Sequence, residues 1–200
     1  SMIMRGRIQA LDELERQGLE IHHRLTRAQE VMRFQYNPSY DPEETDSNQL
    51  SLPVEVSKSY TDYSHQDIES GFREALRKNR RQDMTRGVTT IGPHRDEFRF
   101  LSNGIDLGLY GSRGQTRSAL LSLKFAEVEW MKNRTGESPV LLLDEIMAEL
   151  DPERREDLLL LIDDVEQAML TTTDKMMFPT EFVSRSETWL VHEGIVKKDA

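Results

Sequence analysis

Apolar or small residues in the first 32 positions of the chain recur at alternating steps of three and four. They are Ile8, Leu11, Leu14, Gly18, Ile21, Leu25, Ala28 and Met32. This spacing places them on one face and predicts an amphipathic helix of a small bundle or a coiled-coil-like pair. Residues 31–36 then alternate like a strand. The segment 37–59, rich in proline and acidic residues, predicts a loop, and residues 66–80 predict a second amphipathic helix.

From Thr85 onwards the pattern changes to short apolar runs that are typical of strands. Single strands are predicted at residues 88–91, 140–143 and 167–170, and hairpins at residues 97–107, around Asn103-Gly104, and around Glu193-Gly194. Between them, a helix of about twenty residues is predicted to end near Gly136, and another to begin at Asp151-Pro152.

Four apolar residues, Val140 to Leu143, lead directly into the carboxylates of Asp144 and Glu145. A continuous apolar run predicts a strand buried on both faces of a parallel sheet, and such sheets place their ligands at the C-terminal ends of strands. Because successive strand side chains point to opposite sides, the two carboxylates are available for different tasks. In phosphate-transferring sites, Asp144 would bind Mg²⁺ and Glu145 would activate a water. Alternatively, the two acids only terminate the strand.

A second candidate site precedes the long predicted helix, in the sequence from Gly111 through Ser112, Arg113 and Gly114 to Gln115. Ser112 lies where a helix N-cap is expected, and the N-terminus of a helix attracts phosphate through its free N–H groups and partial positive charge. Gly114 would let a phosphate approach the backbone closely. A simple capped surface helix explains Ser112 but not the whole cluster.

These segments resemble motifs of the ABC-type ATPases. Residues 111–115 resemble the signature motif, residues 140–145 are similar to the Walker B strand with its catalytic glutamate, and residues 148–151 are similar to the D-loop, in the matching order. Within that superfamily, the sequences YGSRGQTR, LLLDEIMAELD and IGPHRDEFRF look most like the RecF family of bacterial recombination and repair ATPases, which are related to SMC proteins. The resemblance is strong over residues 86–174 and weak before them.

The resemblance implies an α/β fold in which residues 85–200 form the C-terminal lobe of an ABC-type ATPase head, with a mostly parallel sheet and flanking helices. Residues 1–84 would be an arm subdomain of helices and short strands with the acidic loop 37–59. It also implies an ATP-dependent homodimer that binds DNA, including junctions of single and double strands, in recombinational repair and replication restart, with RecR-type and RecO-type mediators as partners.

The same resemblance assigns roles to individual residues. Glu145 would be catalytic and Asp144 would bind Mg²⁺ at the subunit's own ATP. The residues that contact the partner subunit's ATP would be Ser112, Arg113, Gly114 and Gln115. Asp151 would signal between the two sites, although an Asp-Pro pair also starts helices.

The chain departs from the ABC pattern in two places. No G-x-x-x-x-G-K-[ST] phosphate loop occurs in its 200 residues. Where many ABC proteins carry a switch histidine, Thr173 is the nearest residue, and its hydroxyl can bond a phosphate but cannot carry a proton as imidazole does. We therefore expect the C-terminal part of a larger protein that does not hydrolyse ATP alone, with Ser1-Met2 as an expression remnant.

The net charge of −10 argues against a protein that coats DNA generally. Residues 72–99, however, hold eight Arg and Lys against four Asp and Glu, a local charge of +4. The candidates for DNA phosphate contacts are Arg77, Lys78, Arg80 and Arg81. A solvated helix end is the other interpretation. The chain has no cysteine, which leaves its redox compartment unspecified, and no apolar run near the ~20 residues that span a membrane. A cytoplasmic protein without membrane partners is expected.

Two other functions stay open at this point. The chain could be a non-enzymatic module that binds DNA or a repair protein. It could also be a metal-dependent nuclease in which His94 and Asp96 join Asp144 and Glu145. Mg²⁺-dependent DNA cleavage without ATP would indicate the nuclease.

Overall fold

A computed structural model of the chain describes residues 2–40 and 64–199. The helices are α1 (Met2–Leu25), α2 (His65–Arg86), α3 (Leu107–Tyr110), α4 (Arg113–Thr135), α5 (Pro152–Asp163) and α6 (Thr180–Ser184). The strands are β1 (Met32–Asn37), β2 (Glu97–Ser102), β3 (Ile105–Asp106), β4 (Leu141–Leu143), β5 (Ala168–Leu170), β6 (Trp189–His192) and β7 (Ile195–Lys198), and two 3-10 turns cover Ile146–Glu149 and Lys175–Met177. The chain divides into two compact units, Ser1–Pro139 and Val140–Ala200.

The first unit contains a three-stranded antiparallel sheet in the order β1-β2-β3. Phe34 of β1 lies opposite Phe100 of β2, and their rings meet edge to face with centroids 5.2 Å apart. The turn between β2 and β3 has φ of 50° at Asn103 and 79° at Gly104, the left-handed geometry that a tight hairpin requires. The hairpin predicted around Asn103-Gly104 is therefore confirmed.

Helix α1 packs along α4 and against the sheet, and Gly18 lies at both contacts. A Cβ atom at Gly18 would lie 3.3 Å from Cζ of Phe34 and 3.8 Å from Cβ of Ala126. The apolar core beside it consists of the buried Met32, Leu107 and Ala119 with the partly buried Leu19, Phe34 and Phe100. The predicted amphipathic helix is confirmed in this contact.

Polar side chains add two connections between α1 and α4. The carboxylate of Glu13 accepts hydrogen bonds from Trp130 Nε1 (2.7 Å) and Arg134 Nη2 (2.9 Å). Hydrogen bonding to Arg134, and then to Trp130, lowers the pKa of the Glu13 carboxyl below its ordinary value of 4.5. Deeper in the interface, Nδ1 of the buried His22 lies 3.1 Å from Oγ of Ser122. These polar contacts therefore add to the apolar packing that holds α4 against α1.

A second group of contacts holds the start of α1 near α2. Met4, Tyr40 and Ile68 form a small buried cluster. Nearby, the carboxylate of Asp96, whose side chain is 1% exposed, accepts hydrogen bonds from Arg7 (2.9 Å), from Tyr36, and from both the backbone N–H (2.8 Å) and the hydroxyl (2.9 Å) of Ser39. Burial and the bond to Asp96 raise the pKa of the Tyr36 hydroxyl. Asp96 therefore joins α1, β1 and the segment before β2.

Two sequence predictions in this unit are wrong. Residues 88–91 are not a strand, because Gly87 ends α2 in a left-handed conformation and the Asp83 carboxylate accepts from both the N–H and the hydroxyl of Thr90. The Thr90 N–H is then not available to pair with another strand. The apolar periodicity that was expected to continue to Met32 stops at Leu25, because Arg27 and Ala28 take positive φ and Met32 begins β1.

In the second unit, β4 and β5 pair in parallel, α5 follows β4, and β6 and β7 form the predicted terminal hairpin. The prediction that β4 is buried on both faces is wrong. Leu141 and Leu143 are buried, but Leu142 between them is 68% exposed, and its partner Met169 is 62% exposed. Among the described strands one pairing is parallel and three are antiparallel, and they lie in three separate sheets.

The predicted division into an arm, residues 1–84, and a lobe, residues 85–200, stays a prediction. β1 from the first range pairs with β2 from the second. Of the predicted acidic loop, residues 41–59 lie outside the described residues. None of the helices in the described ranges is long and apolar enough to cross a membrane.

Candidate nucleotide-binding site

The first group of site residues lies where the parallel strands β4 and β5 end. Leu143 is opposite Leu170 in the ladder, so Asp144 and Thr171 follow at the same edge. The hydroxyl of Thr171 donates to Oδ1 of Asp144 (2.5 Å) and accepts from the backbone N–H of Glu145 (3.0 Å). Thr171 is not among the site residues predicted from the sequence. The matching positions of the two residues, each directly after an apolar strand, were the available signal.

The backbone turns sharply at Glu145, which has φ of 51° and ψ of 18°. This left-handed conformation is uncommon for residues other than glycine and concentrates at functional sites. Because β4 ends at Leu143, the side chains of Asp144 and Glu145 leave an irregular turn, and strand alternation does not determine their directions. Asp144 is exposed and Glu145 is half-buried, so both are accessible to a ligand from solvent.

The donor set suits a magnesium ion that binds mainly to phosphate and water. Mg²⁺ usually takes one or two carboxylates from the protein and completes its octahedron with waters and substrate phosphates. The exposed carboxylate of Asp144 fits that role, with its Oδ1 bonded to Thr171. Over residues 2–40 and 64–199, no cluster of three or more His, Cys, Asp or Glu could hold a metal alone.

Asp151 is the N-cap of α5, as its place before Pro152 predicted. Its Oδ1 accepts from the backbone N–H of Arg154 (3.0 Å). The next residue, Arg155, donates to the carbonyl of Met147 (2.8 Å) and so connects α5 to the turn after Glu145. The Asp151 side chain is 51% exposed, and its signalling role stays a prediction.

The second group of site residues, in the other unit, starts α4 with a capping box. Ser112 Oγ accepts from the N–H of Gln115 (3.2 Å), while Gln115 Oε1 accepts from the N–H of Ser112 (3.0 Å). Ser112 and Arg113 are exposed, and Gly114 and Gln115 are half-buried. Ser112 is therefore both a helix cap and accessible to another molecule.

The approach to this cap is fixed by the short helix α3. Its own N-cap, Asp106, accepts from the N–H of Gly108 (2.8 Å), and the N–H of Gly111 donates to the carbonyl of Leu107 (3.1 Å). A Cβ atom at Gly111 would lie 2.5 Å from that carbonyl oxygen. Only glycine fits there without a backbone shift, so steric packing requires a glycine at position 111 independently of the motif that it resembles.

The remaining predicted residues are exposed. Thr173 lies two residues beyond the hydroxyl that contacts Asp144, and its phosphate role stays a prediction. On α2, Lys78 forms an ion pair with Glu74 (3.2 Å). In the described parts of the chain, Arg77, Arg80 and Arg81 have no ion pair, and helical spacing puts them near one another on one side of α2.

The structure argues against a nuclease site at His94 and Asp96. Four hydrogen bonds already occupy the buried Asp96 carboxylate, which therefore cannot also present its oxygens to a metal in solvent. His94 is exposed and close to Gly92. Asp96 thus has a structural role.

Comparison with known proteins identifies relatives along almost the whole chain. The DNA replication and repair protein RecF of Lysinibacillus sphaericus is 33% identical over 198 residues, which are 99% of this chain and 49% of the relative. RecF of Acetivibrio thermocellus is 42% identical over 178 residues, covering 89% of this chain and 43% of the relative. The chain spans about half the length of the curated relatives it matches. A search with family models gives no match.

Solved structures agree with the sequence relatives. The recombination mediator protein RecF of the RecFOR pathway, solved with ATPrS, superposes with a TM-score of 0.72 at 27% identity, covering 100% of this chain and 47% of that one. The corresponding RecF-ATP structure gives 0.71 at 28% identity. The predicted α/β fold class is confirmed. The chain is thus similar to the RecF proteins over nearly its whole length, which is about half of theirs.

Proposed function

We propose that this chain is the C-terminal part of a RecF-like ATPase of DNA replication and repair. The observation that carries the proposal is the pair of adjacent, accessible carboxylates, Asp144 and Glu145, at the C-terminal end of a parallel strand pair. Open α/β sheets bind their ligands at such ends. The similarity to proteins named RecF, among them structures with ATP and ATPrS, supports a nucleoside triphosphate as the ligand.

The two carboxylates would divide the chemistry at this site. Asp144 would hold Mg²⁺ together with phosphate oxygens and water, and the bound ion would neutralise charge on the phosphates. Glu145 would accept a proton from the attacking water, a contribution worth about 10²- to 10⁴-fold in rate when the base is well placed.

The capped start of α4 would contact the triphosphate bound by a partner subunit. The cap uses the N–H groups of Ser112 and Gln115. The N–H groups of Arg113 and Gly114, in the first turn, have no acceptor within the helix and can donate to phosphate oxygens. The exposed Ser112 hydroxyl and Arg113 side chain would add to this contact.

ATP would therefore act as a clamp between two subunits. While ATP is bound, its phosphates join the carboxylate end of one subunit to the α4 cap of the other. Hydrolysis removes the bridging charge and shifts the population towards the open state. DNA would bind the closed dimer, with the basic side of α2 as a candidate contact. Mediator proteins of the RecR and RecO type are the proposed partners, in line with the RecFOR pathway named for the similar structures.

Glu145→Gln in the full-length protein tests the chemistry. ATP should still drive dimerisation, measured by light scattering after size-exclusion chromatography, while steady-state hydrolysis falls at least about tenfold, because the amide cannot accept the proton. Glu193→Gln is the matched control, because Glu193 also has a left-handed backbone, with φ of 50°, but lies in the β6–β7 turn. Wild-type turnover by Glu145→Gln would remove Glu145 from the base role.

Ser112→Arg tests the contact with the partner subunit. The substitution should block ATP-driven dimerisation and leave nucleotide binding by the monomer intact. Ser64→Arg is the matched control, because Ser64 is also an exposed N-cap whose Oγ accepts from a backbone N–H, that of Asp67, at 3.2 Å. Both variants lose about 1 kcal/mol of cap stability. If Ser112→Arg abolished nucleotide binding by the monomer, the partner-subunit assignment would be refuted.

A further inference from the structure

Thr171 contacts both carboxylate residues of the candidate site and suggests a role that rests on the proposed function. We propose that Thr171 is a positioning residue whose single hydroxyl sets the Asp144 carboxylate and the Glu145 backbone together. It donates to Oδ1 of Asp144 at 2.5 Å and accepts from the Glu145 N–H at 3.0 Å. The group proposed to hold Mg²⁺ and the peptide that precedes the proposed base thus depend on one oxygen atom.

The chemistry of a hydroxyl allows this double role. A threonine hydroxyl has one hydrogen to donate and two lone pairs to accept with. The donated hydrogen fixes one carboxylate oxygen of Asp144, which leaves the other oxygen, Oδ2, for the cation. The accepted hydrogen bond restrains Glu145 in its left-handed conformation. That conformation is energetically unfavourable for any residue that has a Cβ atom.

Thr171 is itself held by regular structure. Its backbone N–H donates to the carbonyl of Leu143 at 3.0 Å, which continues the β4–β5 ladder by one residue. The position of its hydroxyl therefore follows from the strand register, and groups on strands are placed more accurately than groups on loops. The neighbouring Thr172 differs, because its hydroxyl donates to the carbonyl of Asp174 and accepts from the N–H of Asp174, both at 3.1 Å.

Isosteric substitution separates the hydroxyl from the shape of the side chain. Thr171→Val keeps the volume and removes both hydrogen bonds, Thr171→Ser keeps the hydroxyl, and Thr172→Val is the neighbouring control. In the full-length protein, Thr171→Val should lower kcat for ATP hydrolysis about tenfold and raise the half-maximal Mg²⁺ concentration by a similar factor, as loss of groups that orient metal ligands typically does. KM for ATP should change little. Thr171→Ser and Thr172→Val should behave like the wild type.

A second readout needs neither nucleotide nor metal. In the full-length protein without nucleotide or metal, amide hydrogen exchange at Glu145 should become faster in Thr171→Val, because the acceptor of its N–H is gone, and should stay slow in Thr171→Ser. The amide of residue 171 should stay protected in both variants, because its acceptor is the carbonyl of Leu143. Unchanged exchange at Glu145 in Thr171→Val overturns the positioning role. Loss of protection at both amides also overturns it, because the side chain would then hold the strand pair instead of the turn.

The two proposals fail in different ways. If Glu145→Gln is slow but Thr171→Val hydrolyses ATP at the wild-type rate, the positioning role is wrong and the proposed function stands. If Glu145→Gln itself turns over normally, the proposed function is wrong whatever the exchange of the Glu145 amide. Slow hydrolysis by Thr171→Val that Thr171→Ser restores, together with faster Glu145 exchange, supports both.

Discussion

Gly111→Ala should destabilise the junction between α3 and α4. A Cβ atom at residue 111 would lie 2.5 Å from the carbonyl oxygen and 2.9 Å from Cα of Leu107. Both are backbone atoms, so no side-chain rotation relieves the contact and one of the two helices must move. Overpacking of this kind costs about 1–3 kcal/mol, while the lower entropy of the unfolded alanine chain returns about 0.4–1 kcal/mol. We expect a net loss of about 1–2 kcal/mol.

Gly6→Ala is the matched control for this prediction. Gly6 is exposed within α1, and a Cβ atom there would meet nothing within 4 Å. The same substitution should therefore stabilise the chain by about 0.5–1 kcal/mol, through helix propensity alone. Urea unfolding at constant m-value reports both changes as opposite shifts of the midpoint. If Gly111→Ala unfolds at the same or a higher urea concentration than Gly6→Ala, the steric account of Gly111 is refuted.

Three further predictions follow from other contacts. Hydrogen bonding to Arg134 lowers the folded-state pKa of Glu13, so the ionised carboxylate should stabilise the fold fully above pH 4.5 and lose that effect as the pH falls through the lowered value. The urea midpoints of wild type and Glu13→Gln should therefore differ at pH 7 and converge at acidic pH. A difference that does not change with pH contradicts this. Asp96→Asn should cost about 2–3 kcal/mol in urea unfolding, because four donors lose a charged acceptor, and a near-neutral change contradicts the structural role. If α2 contacts DNA, Arg77→Ala with Arg81→Ala should reduce the slope of log affinity against log salt by about 0.9 per lost phosphate contact, and an unchanged slope excludes these residues.

Elements with a strong local signal were predictable from the sequence. The capping box of α4 follows from Ser112 and Gln115 at the correct spacing, and Asp151-Pro152 starts α5 as its residue types require. The two left-handed turns at Asn103-Gly104 and Glu193-Gly194 also match. In each case the residues that determine the structure are neighbours in the chain.

Features that depend on contacts beyond the immediate neighbours in the chain were missed. Nothing near Val88 reveals that Thr90 bonds Asp83 instead of joining a sheet. The exposure of Leu142 likewise depends on what packs against the strand pair, which its apolar neighbours do not reveal.

The candidate site was predicted in its residue types but not in its connections. Asp144 and Glu145 stood out because carboxylates after an apolar strand are chemically conspicuous. Thr171 did not, because its role depends on the register between β4 and β5, segments separated by an entire helix. The left-handed turn at Glu145 was also unpredictable, since glutamate has no preference for that conformation.

Mixing two impaired variants of the full-length protein, Ser112→Arg and Glu145→Gln, tests the composite site most directly. Ser112→Arg retains its own Glu145, and Glu145→Gln retains a normal α4 cap, so a mixed dimer contains one complete site formed from both subunits. We predict that the mixture hydrolyses ATP well above the sum of the two variants measured separately. Hydrolysis equal to that sum would contradict the claim that the α4 cap of one subunit acts on the nucleotide held at the carboxylates of the other.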